Sequence, residues 1–93
     1  MVVIDIGTTT IVAHLIEIAL FQIAYIWLVQ NDQYGAIIGD TSLDWSDLFY
    51  FSAVTYTSTG YGDLTPTGNM RLFATVEALT GLIMIAWTAS FAF

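Results

Sequence analysis

The sequence predicts an all-α membrane protein, with two spanning helices and a short re-entrant helix between them that runs into an irregular glycine-rich stretch. Three observations support this. First, the 93 residues are 57% hydrophobic and only 10% charged, against about 25% charged in ordinary soluble domains, and the mean hydropathy is +0.75. A soluble chain this short buries only about 60–65% of its surface, so much of its apolar surface would face water; lipid is the simpler solvent. Second, the apolar stretches Ile11 to Val29 and Leu72 to Phe93 each have the length of a spanning helix, roughly 17–25 residues. Third, the apolar and aromatic run from Trp45 to Thr57 is too short to cross and falls in the re-entrant range.

Taken in order, the first spanning helix is expected over about 9–29, with Tyr25 and Trp27 suited to a headgroup boundary. A polar connector, Gln30 to Ser46, follows. Near its end Asp44 is expected as N-cap of the half-helix, about 45–57, with Asp47 at the third helical position favouring the positive helix end. Gly60-Tyr61-Gly62-Asp63 comes next, then Thr65-Pro66 and Gly68-Asn69 as breakers, then the second spanning helix over about 70–93. Irregular backbone at membrane depth is tolerated only where protein buries it or water fills a cavity. One hairpin of two helices encloses no cavity, whereas several copies about an axis do, so an oligomer is expected.

The net charge is −7 and the only Lys or Arg is Arg71. Without a basic patch, nucleic-acid binding and polybasic docking to anionic lipid are excluded. The chain has no cysteine, which removes disulfide and thiolate-metal chemistry. The N-terminus lacks the basic region of a signal peptide, so no cleaved targeting segment is expected. No arginine-rich voltage-sensing helix is present.

Thr55-Tyr56-Thr57-Ser58-Thr59-Gly60-Tyr61-Gly62-Asp63 resembles the signature of the potassium channel family, usually Thr-Met-Thr-Thr-Val-Gly-Tyr-Gly-Asp. The resemblance extends over the hairpin from about Ile11 to Phe93 and implies a bacterial-type two-helix pore domain, in which the half-helix is the pore helix and residues 58–62 form the selectivity filter. It further implies a homotetramer in a lipid bilayer that conducts K⁺ passively, with K⁺ as bound and transported ion, no cofactor and no enzymatic activity. The carbonyls of Ser58, Thr59, Gly60 and Tyr61 would coordinate K⁺, with the Ser58 hydroxyl at the inner end and the Tyr61 ring packed outward. The physics agrees: inward-pointing carbonyls replace the ion's water shell without full charges that would trap it, and the alternating dihedrals they need suit Gly60 and Gly62.

Two positions depart from the pattern. Ser58 stands where the family has Thr and keeps only the hydroxyl. Thr59 replaces a Val that packs behind the filter, and its hydroxyl needs a partner. These departures motivate the alternative of a weakly selective monovalent cation channel. Counting back from Ser58, Tyr50 and Phe51 occupy the two positions of the family's aromatic cuff. The Tyr50 hydroxyl is expected to bond Asp63, while Phe51 has no donor; simple apolar filling is the alternative. Asp32, Asp40, Asp44, Asp47 and Asp63 cluster on the connector and filter mouth, where several copies would concentrate cations, although Asp32 and Asp40 read better as a solvated loop.

Ionisable groups within spanning helices are functional candidates. His14 and Glu17, three apart on one helix face, are expected to pair. Glu77 is expected to approach Gln22 or Tyr25. A pH-sensitive coupling between helices and plain structural hydrogen bonding are both open, as is a His–carboxylate metal site, disfavoured because the depths do not match. Gly81 sits where the family often has a hinge glycine, with close helix packing as the alternative. Leu82, Ile85 and Ala89 would then line the cavity and Phe93 the inner constriction. The family implies a prokaryotic plasma membrane with both termini cytoplasmic, although Arg71 alone would place the connector there. In the family a cytosolic regulatory domain usually attaches at the position of Phe93; a truncated pore and a pore without regulatory parts are both open. Finally, Val3-Ile4-Asp5-Ile6-Gly7-Thr8-Thr9-Thr10 resembles the first phosphate loop of the sugar-kinase and actin-like ATPase superfamily. It leads straight into a spanning helix, without the two domains that fold requires, and is read as coincidental.

Overall fold

The computed structural model describes residues 2–39, 43–60 and 62–92. Its elements run α1 (Val2–Val29), one 3-10 turn (Asp32–Tyr34), β1 (Ile37–Gly39), α2 (Trp45–Tyr56), β2 (Leu64–Pro66) and α3 (Met70–Ala92). Asp40, Tyr61 and Phe93, together with the Asp32 side chain, lie outside the described residues. The molecule measures 47 × 21 × 21 Å, with α2 packed against both long helices.

Two helices are long and apolar enough to cross a membrane, over Gly7–Val29 and Met70–Phe91. Their outward faces leave Ile11, Leu20, Ile23, Leu72, Ile83 and Phe91 more than half exposed in the single chain, a surface for lipid or neighbouring copies. The first helix begins at Val2, about two turns before its expected start near residue 9. The segment holds no proline, and its one glycine, Gly7, costs only about 1 kcal/mol in a helix interior. The stretch that resembles a phosphate loop is therefore continuous helix, without the loop that would present amides to a phosphate.

The core forms where α2 meets α1 and α3. The buried Tyr25 ring meets Phe51 edge-on at 5.0 Å and Phe73 at 5.1 Å, contacts worth about 0.5–1.5 kcal/mol each beyond the area they bury. Leu48, Met70 and Ala74 pack around them, and Ile37 and Leu64 extend the cluster into the connector.

Those last two residues belong to a sheet the sequence did not announce. β1 and β2 pair antiparallel, with Ile38 opposite Thr65 and Gly39 opposite Leu64. Three-residue strands carry too little alternation to be read, but this pairing anchors the chain after the glycine-rich stretch to the connector before α2. Gly39 is required there: a Cβ would stand 2.2 Å from the Leu64 side chain and 2.7 Å from the Asp63 carbonyl oxygen.

The start of α2 is fixed by a capping box. Asp44 Oδ1 accepts from the Asp47 amide at 2.9 Å, and Asp47 Oδ2 accepts from the Asp44 amide at 3.3 Å. The Ser46 hydroxyl adds a donor to Asp44 Oδ1 at 2.8 Å. The Asp47 amide, then the Ser46 hydroxyl, hold the Asp44 carboxyl below the ordinary carboxylate range. A lowered folded-state value means this cap contributes fully above the unfolded value, about 3.9, and is lost as pH falls through the lowered one. Asp44→Ala is expected to destabilise α2 by removing its cap, read as a lower unfolding temperature of the detergent-solubilised protein at neutral pH, with a smaller difference in strong acid.

Candidate functional site

The site begins where α2 ends. Thr57 caps the helix, its amide bonding the Ala53 carbonyl at 3.0 Å. The Ser58 amide then reaches the Thr55 carbonyl at 3.1 Å and the Thr59 amide the Val54 carbonyl at 2.9 Å. These are the two bonds of a Schellman ending, whose next residue is left-handed and usually glycine. Here that residue is Ser58, with φ +60°. A β-branched side chain is a strong outlier in that region, so the serine in place of the family's threonine suits the backbone. The Gly60 amide also points at Val54, at 3.2 Å.

Beyond the cap, positive φ recurs at every second residue: Ser58 at +60°, Gly60 at +55° and Gly62 at +88°, with Thr59 between them outside that region. This alternation is what successive carbonyls facing one side require. Ser58, Thr59, Gly60, Gly62 and Asp63 are all exposed in the single chain. The Thr59 hydroxyl has found its partner, Thr57 Oγ1 at 2.8 Å, and the Thr57 hydroxyl also bonds the Ala53 carbonyl at 2.9 Å. Tyr61 lies outside the described residues.

Behind this stretch, the Tyr50 hydroxyl donates to Asp63 Oδ1 at 3.1 Å, joining the middle of α2 to the outer end of the loop. Phe51 is buried against Tyr25 and braces α2 through packing alone. Tyr50→Phe is expected to speed filter inactivation in current recordings, by the few-fold that an exposed hydrogen bond of about 0.5–1.5 kcal/mol sets. Unchanged inactivation would remove this bond from the account.

The intramembrane polar residues form two groups rather than one. Glu77 is fully buried and accepts from the Tyr25 hydroxyl at 2.8 Å, with Ser52 Oγ at 2.6 Å from its other oxygen. Gln22 turns instead to the Trp45 carbonyl, at 2.6 Å. His14 and Glu17 meet through a third residue, which corrects their expected direct pairing. The Tyr56 hydroxyl donates to Glu17 Oε2 and lies 2.8 Å from His14 Nδ1. His14 Nε2 sits 3.2 Å from the Thr88 hydroxyl on α3. Sequence reasoning missed Tyr56, although one signal was available: a polar aromatic where the family's signature carries methionine. Among the described residues, no three His, Cys, Asp or Glu are arranged to hold a metal ion.

Gly81 is buried against the end of α2. A Cβ there would stand 1.9 Å from the Tyr56 carbonyl oxygen and 2.8 Å from its carbon, and α3 runs through this position without a break. Leu82, Ile85 and Ala89, spaced along one side of α3, are exposed in the single chain; Phe93 lies outside the described residues.

A sequence profile of the family described as Ion channel matches residues 13–93. Protein LctB of Bacillus caldotenax is 52% identical over 40 residues, covering 43% of this chain and 30% of its own, and the Geobacillus stearothermophilus Protein LctB matches equally. The inward rectifier potassium channel Kirbac3.1 of Paramagnetospirillum magnetotacticum is 33% identical over 81 residues, covering 83% of this chain and 25% of its own. The chain thus spans between a quarter and a third of the length of these relatives. No solved structure matches. With two helices able to span a membrane, a half-helix between them and a profile match over most of its length, the chain is an integral membrane protein and belongs to the ion channel family, with a two-transmembrane-helix architecture.

Proposed function

We propose that four copies of this chain surround a common axis and conduct K⁺ passively, selecting it by rings of carbonyl oxygens from Ser58, Thr59, Gly60 and Tyr61. The observation that carries this reading is the exposed stretch after α2, whose φ is positive at every second residue, Ser58, Gly60 and Gly62. In a single chain this irregular stretch is exposed, and at membrane depth such backbone is tolerable only around a shared, water-filled or ion-filled pathway. Potassium fits because an ion that sheds its water there meets carbonyl dipoles and no carboxylate. The C-terminus of α2 adds partial negative charge at the inner end of the pathway, and Asp63 with its neighbours' copies attracts cations to the outer end.

In this arrangement the termini lie on the cytoplasmic side of a prokaryotic plasma membrane. Leu82, Ile85 and Ala89 line the cavity below the filter, and Gly81 sits at the level where α3 would bend. A second reading, a weakly selective monovalent cation channel, is favoured by Ser58, which lacks the methyl of the family's threonine, and Thr59, whose hydroxyl replaces a methyl of the family's valine. Cross-linking of the purified protein should give a ladder ending at four copies, and liposomes containing it should take up a K⁺ tracer down its gradient. A ladder ending at two, without uptake, contradicts the proposal.

A further inference from the structure

Glu77 is the most unusual residue in the chain: a carboxyl with no exposed surface, already enclosed within one subunit. Its oxygens reach both other helices, Tyr25 on α1 at 2.8 Å and Ser52 on α2 at 2.6 Å. Ser52, also without exposed surface, lies 2.8 Å from the Ile18 carbonyl of α1. One carboxyl on α3 therefore joins all three helices in the middle of the apolar core. Among the described residues no lysine or arginine faces it, since the single one in the sequence, Arg71, is exposed. An unpaired carboxylate in such a place is very costly. Hydrogen counting offers a resolution: Ser52 has one hydroxyl hydrogen and two oxygen neighbours, so a proton on the Glu77 carboxyl satisfies both.

The position of this junction gives it a consequence. Ser52 lies on α2 less than two turns before Ser58, so the rotation and depth of α2 at Ser52 are handed directly to the first filter carbonyls. Aliphatic packing tolerates small slides of one helix on another, whereas three convergent hydrogen bonds of 2.6–2.8 Å do not. We propose that Glu77 is a positioning residue for ion selection: through Ser52 and Tyr25, as a neutral hydrogen-bond hub, it fixes the seat of α2 and with it the spacing of the filter carbonyls. This rests on the potassium-pore reading above.

The test uses the full chain, purified and reconstituted, with the K⁺/Na⁺ permeability ratio measured from reversal potentials and assembly checked on the same samples. Glu77→Gln keeps an acceptor for Tyr25 and a donor for Ser52, and is expected to retain the wild-type ratio. Glu77→Leu removes both, and the ratio of the assembled channels is expected to fall by about tenfold or more, the scale of a buried hydrogen bond left unmade. Ser52→Ala, a smaller change, carries the test if the leucine variant does not assemble, and is expected to lower the ratio in the same direction. Assembled Glu77→Leu or Ser52→Ala channels with the wild-type ratio overturn the positioning role, even if they melt earlier. A glutamine variant as unselective as the leucine one overturns the neutral hub. A wild-type protein without K⁺ preference overturns the potassium reading itself.

Discussion

Replacing Gly81 with alanine is expected to lower thermal stability and abolish ion flux together. The added Cβ would stand 1.9 Å from the Tyr56 carbonyl oxygen, and that atom is backbone, so no side chain can swing aside. Either α3 moves outward or the last turn of α2 shifts. Overpacking of this kind costs about 1–3 kcal/mol, repeated in every copy of an assembly. Tyr56 is buried, its hydroxyl is held by Glu17 and His14, and it lies two residues before Ser58. A displacement here therefore reaches the glycine-rich stretch after α2 with little chance of being absorbed. The measurement is unfolding temperature alongside tracer flux. If Gly81 served only as a hinge, alanine would alter opening while leaving stability near wild type, so normal melting with altered gating would assign it that role instead.

Gly60→Ala should behave in the opposite way, destroying selective flux while the helices melt almost as before. Nothing lies within 4 Å of a Cβ built at Gly60, so the effect comes from the backbone alone. At φ +55° an L-residue pays about 1–2 kcal/mol, and under the proposed four-copy arrangement every copy incurs it at the same ring. The relaxed alternative turns the Gly60 carbonyl away from its neighbours. Selective K⁺ flux that persists after this change would remove residues 58–62 from the ion pathway.

The features legible in the sequence were those that depend on local pattern. The two long apolar runs announced α1 and α3, and the Asp44-Trp45-Ser46-Asp47 spacing announced the capped start of α2. Antiparallel depth counting along two helices put Glu77 near Gln22 or Tyr25, and the structure pairs it with Tyr25. What escaped was fixed by tertiary geometry. The β1–β2 pair arises because the segments flanking α2 return to the same place. Tyr56 between His14 and Glu17, and the Tyr56 carbonyl against Gly81, depend on how α2 rotates within its socket. Spacing along α1 put His14 and Glu17 on one face, but it could not show that a second helix, α2, delivers a hydroxyl between them. The early start of α1 was missed because Gly7 and three threonines resemble a loop, although none of them ends a helix.

The two polar groups divide the hairpin by depth. Glu77, Ser52 and Tyr25 hold the middle of α2, while Tyr56, His14, Glu17 and Thr88 hold its end. Between them they give α2 two hydrogen-bonded seats in an otherwise apolar environment.

The central claim is that Ser58 to Gly62 select potassium. The most direct test is the reversal potential of the reconstituted protein with K⁺ on one side of the membrane and Na⁺ on the other. A potential close to the K⁺ equilibrium value is predicted, and it should collapse in Gly60→Ala. A wild-type potential near zero would contradict the account and leave a channel that passes both ions alike.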